Sequence, residues 1–438
     1  MSREIKIEPI TRLEGHGNVT IKLGPGDKVE DVQFNVAHTR FFEKFLEGRP
    51  AEHAPRIVPR ICGICPIPHH LTSVKAVEAA WGITPPRPAD KLRELEINAK
   101  QFSSHVLHIA ALQLPDLLAG PLAPPEKRNV VAVINALPDV GKAVLRAMRF
   151  GQDLCAAIGG KSVHPVTGIP GGMSKPLAED DRQSFLKQLP EIVEIGKTLV
   201  EIGSKLVNDY MVVIKNFAVV PTYYIGTVKP DGGLTIWDGN MRVMDKEGKI
   251  AAEFPAKDYL NYCAEYVPPH SMATHIYLKS AGYPEGVWRA NTLARVNVAD
   301  KMQTPWAQEL FEAFRSTVGR PCHMTFAYVW ARLIETIQAV EKIKTLLEDP
   351  EIVSTDVKLA DVEPKAGNGV GQTEAPRGTL IHNYWTDDNG IITKANLLVA
   401  TNHNIGGIEL TLKVAAKQIF EDKIVDQIAD KLPEPMIK

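Results

Sequence analysis

Cysteine is scarce in this chain. There are five in 438 residues, Cys62, Cys65, Cys155, Cys263 and Cys322, and none after Cys322. An odd, scattered set excludes a disulfide framework. Only Cys62 and Cys65 cluster; the other three read as small buried apolar side chains. A charge excess of one sign is also lacking, since 50 Lys and Arg stand against 52 Asp and Glu. Nothing in that balance favours nucleic acid or an anionic membrane as the main partner. Long apolar runs are missing too. The most apolar stretches, such as Val130 to Leu137, fall far short of the roughly 20 residues that span a bilayer. The opening MSREIKIEP is charged from the start and has no signal-peptide core. The expected compartment is therefore the cytoplasm, unless export rides on a partner's signal.

What is present is length and pattern. A 438-residue chain that is 44% hydrophobic can bury a large core in two or three regions. EIKIEPI, NVTIKL and DVQFNVAH alternate like strands between Gly and Asp turns. A helix is expected from about Arg40, followed by the proline-punctuated turn RIVPRICGICPIPHH. Residues 87–114, 126–157, 178–214 and 304–346 carry apolar residues at three- and four-residue spacing, as helices in a bundle do. Residues 222–280 are Gly-rich and strand-like. A last β segment covers about 369–399 with a hairpin at DDNG, and an amphipathic helix covers about 405–429. The expected fold class is α+β, a long-helix bundle core with a small N-terminal β region and peripheral β insertions. Four segments are expected: 1–39 β, 40–221 helical with the cysteine turn, 222–280 a β insertion, and 281–438 a helical continuation.

RICGIC sets two thiols three residues apart around Gly63, which lets both sulfurs reach one metal. Soft thiolates select nickel, iron, zinc or copper(I) over magnesium. Arg60 beside the pair favours the thiolate forms. The pair alone leaves three readings open: half of a zinc site, a thioredoxin-like redox pair, or part of a redox-metal site. Structural zinc needs two more Cys or His nearby, and the proline-rich surroundings offer no thioredoxin context.

Six segments, the cysteine pair among them, bear on the choice. EPITRLEGHG, RICGICPIPH, GGKSVHPVTGIPGG, LARVNVAD, EAPRGTLIHNY and NLLVATNHN occur in the order found in the catalytic large subunit of [NiFe] hydrogenases, which the sequence resembles over nearly its whole length. The wording of LARVNVAD and RGTLIHNYWTDDNGII resembles most the cytoplasmic branch coupled to NAD(P), a deazaflavin or a heterodisulfide reductase. The resemblance implies a nickel–iron centre carrying carbonyl and cyanide ligands, and H₂ ⇌ 2H⁺ + 2e⁻ as the reaction. It implies Cys62 as a terminal nickel ligand and Cys65 as a bridge to iron. Glu14 would relay protons, as a carboxylate of tuned pKa can. Glu43 would bind magnesium through a hard oxygen, with the Leu397 backbone carbonyl beside it. His69 would hydrogen-bond the Cys65 sulfur. Arg377 would present fixed donors to the cyanides or the open position, with the Pro376 backbone lining the same side. Asp116 is a weaker candidate for a carboxylate near nickel, and His164 and Gly171–Gly172 would shape backbone.

Two departures stand out. The family's RGFE is here Arg40-Phe41-Phe42-Glu43, with Phe41 replacing glycine. The family's second cysteine pair, in a DPCxxC motif followed by a histidine, has no counterpart in this sequence. The expectation is that a small separate peptide with a cysteine or selenocysteine pair, or a stretch outside this sequence, completes the centre. An iron–sulfur small subunit must then carry the electrons onward to further acceptor subunits. The alternative is a hydrogenase-derived structural subunit without an active centre, inside an electron-transfer complex. The N-terminal β segment and the turn at Arg60–His70 are expected to pack together, because Glu14, Glu43 and Cys62 must surround one centre.

Overall fold

A computed structural model describes residues 3–38 and 41–437. The N-terminal alternation folds as an antiparallel meander of β1 (Arg3–Ile7), β2 (Gly17–Leu23) and β3 (Val29–Val36). Side chains of period two put Val19, Ile21, Leu23, Val32 and Phe34 on one face. That face packs on Ile405 and Ala416 near the chain's far end. The helix expected from about Arg40 covers Phe42–Leu46; Arg40 lies outside the described residues.

The helical body comprises α1 (Pro66–Trp81), α2 (Arg87–Leu107), α3 (Pro138–Gly159), α4 (Glu179–Asp209), α5 (Asn291–Val298), α6 (Pro305–Val318), α7 (Tyr328–Glu348) and α8 (Asn402–Phe420). In its middle α2 packs against α3 and α7, and α7 against α4. Four expected helices are broken; 178–214 is interrupted at Tyr210 and 405–429 after Phe420. The 126–157 pattern divides at Leu137–Pro138, where proline supplies no N–H. The 304–346 pattern divides at Gly319, whose φ of 78° ends α6, with Pro321 just after it. The 87–114 pattern instead runs on through a π-helical turn, His108–Gln113, into a short helix Leu114–Ala119. Such turns insert a residue and rotate the rest of the helix about its axis.

The insertion is a sheet of β4 (Tyr223–Val228), β5 (Asn240–Met244) and β6 (Ile250–Phe254), extended by the two residues Trp288–Arg289 parallel to β4. The last sheet orders β7 (Gly367–Ala375), β8 (Gly378–Thr386) and β9 (Ile392–Leu398). Its hairpin turns at Asp387–Gly390, where Asp387 Oδ1 accepts the Asn389 and Ile391 N–H groups.

Helix α1 lies directly on β7. Gly367, Gly369 and Gly371 share one face of the strand, and a Cβ on any of them would enter the backbone of Ala80, Ala76 or Thr72. Glycine here permits backbone-to-backbone contact that no other residue could. This stripe fixes α1, and with it the cysteine turn at its N-terminus.

Candidate metal centre

Cys62 sits in extended backbone (φ −139°, ψ 127°) and Cys65 forms the N-cap of α1, with Pro66 as its first residue. Proline suits that position because its missing N–H has no helical partner there. The Cys65 N–H donates to the Cys62 sulfur at 3.2 Å. The two Cα atoms are 5.4 Å apart, and the sulfurs, aimed at one point, are joined as a disulfide in this structure. Metal binding would use the reduced pair, and the positive end of the α1 dipole favours its thiolate form. Cys65 is buried and Cys62 half-buried.

The loop between β1 and β2 brings Glu14 to this turn, so the expected packing of the two segments is borne out. Its oxygens lie 3.6 and 3.7 Å from the Cys62 sulfur, and Oε1 accepts the Ile64 N–H at 3.0 Å. Arg377, after the buried Pro376 in the β7–β8 turn, donates to Ser104 Oγ on α2 at 3.0 Å. Burial lowers its pKa to about 10 against the opposing charge of Glu14. The guanidinium therefore stays charged at neutral pH.

Asp116, the weaker candidate for a carboxylate near nickel, is engaged by two cations. Both its oxygens are taken by guanidinium groups, Arg12 at 2.7 Å and Arg128 at 3.1 Å. Arg12 is two residues before Glu14 and in left-handed backbone (φ 56°), so Asp116 anchors the Glu14 loop. His69 Nδ1 pairs with His382 Nε2 at 3.1 Å, leaving only Nε2 for a sulfur. Burial lowers the His69 pKa to about 3, so the ring is neutral. His164 (φ 59°) and Gly171–Gly172 occupy positive-φ backbone, and a Cβ on Gly172 would meet the Val357 carbonyl.

Glu43 lies against the free edge of β9. Its Oε1 accepts the Leu397 N–H at 2.7 Å and the Asn396 amide at 3.4 Å. A strand residue projects its N–H and C=O to the same side, so the Leu397 carbonyl shares that edge. Desolvation, then the charges of Glu265 and Glu47, raise the Glu43 pKa against these hydrogen bonds. Phe41, in place of the family's glycine, keeps the left-handed conformation at φ 50°, ψ 39° and is exposed.

A buried charge cluster behind Arg377 escaped the sequence reading. Arg295, inside LARVNVAD, binds Glu335 at 2.6 Å and Glu374 at 2.9 Å. Glu335 also bonds His105 Nε2 at 2.9 Å, and Arg332 reaches His105 Nδ1 at 3.2 Å. Only the motif itself signalled Arg295. Among the described residues no group of three or more His, Cys, Asp or Glu is placed to hold a metal. Two sulfurs are what this chain offers to a soft ion.

The nickel-dependent hydrogenase family model matches residues 40–119, and a HoxL-like model residues 4–38. The chain is 50% identical to a component of the F420-non-reducing hydrogenase vhu of Methanocaldococcus jannaschii, over 95% of this chain and 100% of that one. This chain belongs to the nickel-dependent hydrogenase large subunits. It is 37% identical to the NAD-reducing hydrogenase HoxS subunit beta of Cupriavidus necator, over 95% of this chain and 88% of that one. A solved NAD⁺-reducing [NiFe]-hydrogenase in its H₂-reduced state superposes with TM-score 0.91 at 35% identity, covering 95% and 92% of the two chains. The fold class expected from the sequence is that of these neighbours. The family's activity is oxidoreduction of dihydrogen at a nickel–iron centre, and no helix among the described residues is long and apolar enough to cross a membrane.

Proposed function

We propose that this hydrogenase large subunit supplies half of the thiolate set and the polar surround of a nickel–iron centre interconverting dihydrogen with two protons and two electrons. The observation that carries this is the Glu14 carboxylate 3.6 Å from the Cys62 sulfur, with Arg377 close enough to feel its charge. The donor chemistry fits the group and the donor number falls short by two. Reduced Cys62 and Cys65 are soft ligands suited to nickel and iron; the remaining two thiolates come from a cysteine or selenocysteine pair outside these residues.

When bound, the metals polarise dihydrogen for heterolytic cleavage. The chain's residues do the rest. Cys62 and Cys65 hold the group at the N-terminus of a helix that the glycine stripe fixes. Glu14 takes a proton at its carboxylate, next to the sulfur. Arg377 would give its N–H donors to anionic cyanide ligands of the iron, with Pro376 closing that side. Neutral His69, oriented by His382, offers Nε2 toward the Cys65 sulfur. Glu43 and the Leu397 carbonyl form a hard-oxygen edge for magnesium. Asp116 acts through Arg12, as an anchor of the Glu14 loop.

Cys155, Cys263 and Cys322 are buried and scattered, so electrons leave through an iron–sulfur small subunit. Beyond it lie acceptor modules of the heterodisulfide reductase, deazaflavin or NAD(P) type, in the cytoplasm. The second reading, a structural subunit without the centre, leaves the sulfur pair, Glu14 and Arg377 without a use at one place. Nickel analysis and dihydrogen oxidation by the native complex decide. About one nickel per large subunit supports the first reading; a complex without nickel or activity establishes the second.

A further inference from the structure

Four buried side chains form a continuous hydrogen-bonded row that runs inward from the cysteine turn. His69 and Ser73 stand four residues apart on one face of α1, and Cys65 precedes His69 by the same interval. His382 and Tyr384 share one face of β8, which packs beside α1. His69 Nδ1 lies 3.1 Å from His382 Nε2, and His382 Nδ1 lies 3.0 Å from the Tyr384 hydroxyl. That hydroxyl in turn lies 2.8 Å from Ser73 Oγ. Each of the four residues is at most 1% exposed. The row ends at Ser73, whose Oγ has no other partner among the described residues.

Such a row can carry its hydrogens in two directions only. Burial keeps both imidazoles neutral, lowering His69 to about 3 and His382 well below the usual histidine range. Each ring therefore has one N–H and one bare nitrogen. In the first direction Ser73 O–H donates to Tyr384 Oη, Tyr384 O–H to His382 Nδ1, and His382 Nε2–H to His69 Nδ1. The His69 hydrogen then stands on Nε2. In the second direction His69 Nδ1–H donates to His382 Nε2, His382 Nδ1–H to Tyr384 Oη, and Tyr384 O–H to Ser73 Oγ. The Ser73 hydrogen is then left without an acceptor in a fully buried place, which is costly. The dead end at Ser73 selects the first direction.

We propose that Tyr384, acting through His382, is a positioning residue that fixes His69 as a hydrogen-bond donor toward the Cys65 sulfur. This rests on the metal-centre reading above and names what sets the direction of its His69 contact. A metal-bound thiolate carries no hydrogen and can only accept, whereas a bare His69 nitrogen would set lone pair against lone pair. An N–H on the sulfur also draws electron density from it and weakens its donation to the metal. No proton is transferred; the row determines where its hydrogens rest. The deciding group is the Tyr384 hydroxyl, because without Ser73 it still has only His382 to donate to.

The test uses the intact native complex. Nickel content and the infrared carbonyl and cyanide bands of the parent check the metal-centre reading by themselves, and their absence would overturn that reading. Neutron diffraction from crystals of the perdeuterated complex reads the row directly. Deuterium should stand on Nε2 of both His69 and His382, with both Nδ1 atoms bare; deuterium on either Nδ1 instead overturns the proposal, whatever the metal content. On the loaded complex, Tyr384→Phe keeps the ring and removes the hydroxyl, so the direction is no longer held. Nickel should be retained while the carbonyl band moves or splits to lower wavenumber, as the sulfur gives more electron density to iron. Ser73→Ala trims the same junction but leaves the Tyr384 donor, and should keep the parent band. A parent band in Tyr384→Phe, or an equal shift in Ser73→Ala, would overturn the proposal. Should Tyr384→Phe fail to fold, the deuterium positions in the parent decide alone.

Discussion

The two sides of the cysteine turn are built by opposite means. On the inner side, α1 rests on the Gly367–Gly369–Gly371 face of β7, backbone on backbone, and Arg295, Glu335 and Glu374 lock the helices behind it with fully buried ion pairs. On the outer side, Glu14 and Glu43 arrive on an exposed loop and a five-residue helix, each held by a few hydrogen bonds. The inner side sets where the two sulfurs are. The outer side sets which polar groups face them, and can adjust without disturbing the core.

If the contrast is right, damage should differ in kind across the turn. The largest effect is expected at Gly371→Val, where the new side chain must push α1 off β7. A loss of about 3 kcal/mol or more in urea unfolding of the complex is expected; a loss below about 1 kcal/mol would show that the stripe does not fix the helix. Glu335→Gln should come next, leaving Arg295 with one carboxylate of its two, at about 3 kcal/mol.

Across the turn the expected losses are chemical. Cys65→Ser should leave thermal unfolding near the parent while nickel in the purified complex falls to background, because a hydroxyl is a poor soft-metal ligand. Glu14→Gln should retain nickel and lower turnover about 10² to 10³-fold; a large stability loss there would blur the two sides into one. Smallest of all, Phe41→Gly removes a left-handed conformation costing about 1 kcal/mol but loosens the unfolded chain. Its unfolding midpoint should move by under about 1 kcal/mol, with nickel unchanged.

What the sequence could disclose depended on how local each signal is. The strand alternation before Val36 and the RICGIC pair are readable because their partners are periodic or lie within a few residues, whereas Glu14 was legible only through the family resemblance, its partners Cys62 and Ile64 standing 48 and 50 residues away. The break at Gly319 was hidden because the apolar spacing continues across it. The pairing of Asp116 with Arg12 joins residues 104 apart, and that of Arg295 with Glu335 joins residues 40 apart, so neither leaves a local mark. Glycines at every second position read as a weak strand, when their meaning lies in a helix some 300 residues earlier.

The glycine stripe also bears on how the centre is assembled. Because the stripe lets the α1 backbone seat directly on β7, the positions of the two cysteines are set as a consequence of folding, before any metal arrives. For this half of the thiolate set, maturation then becomes more a matter of delivery than of folding, because the entropy of ordering these two ligands has already been spent.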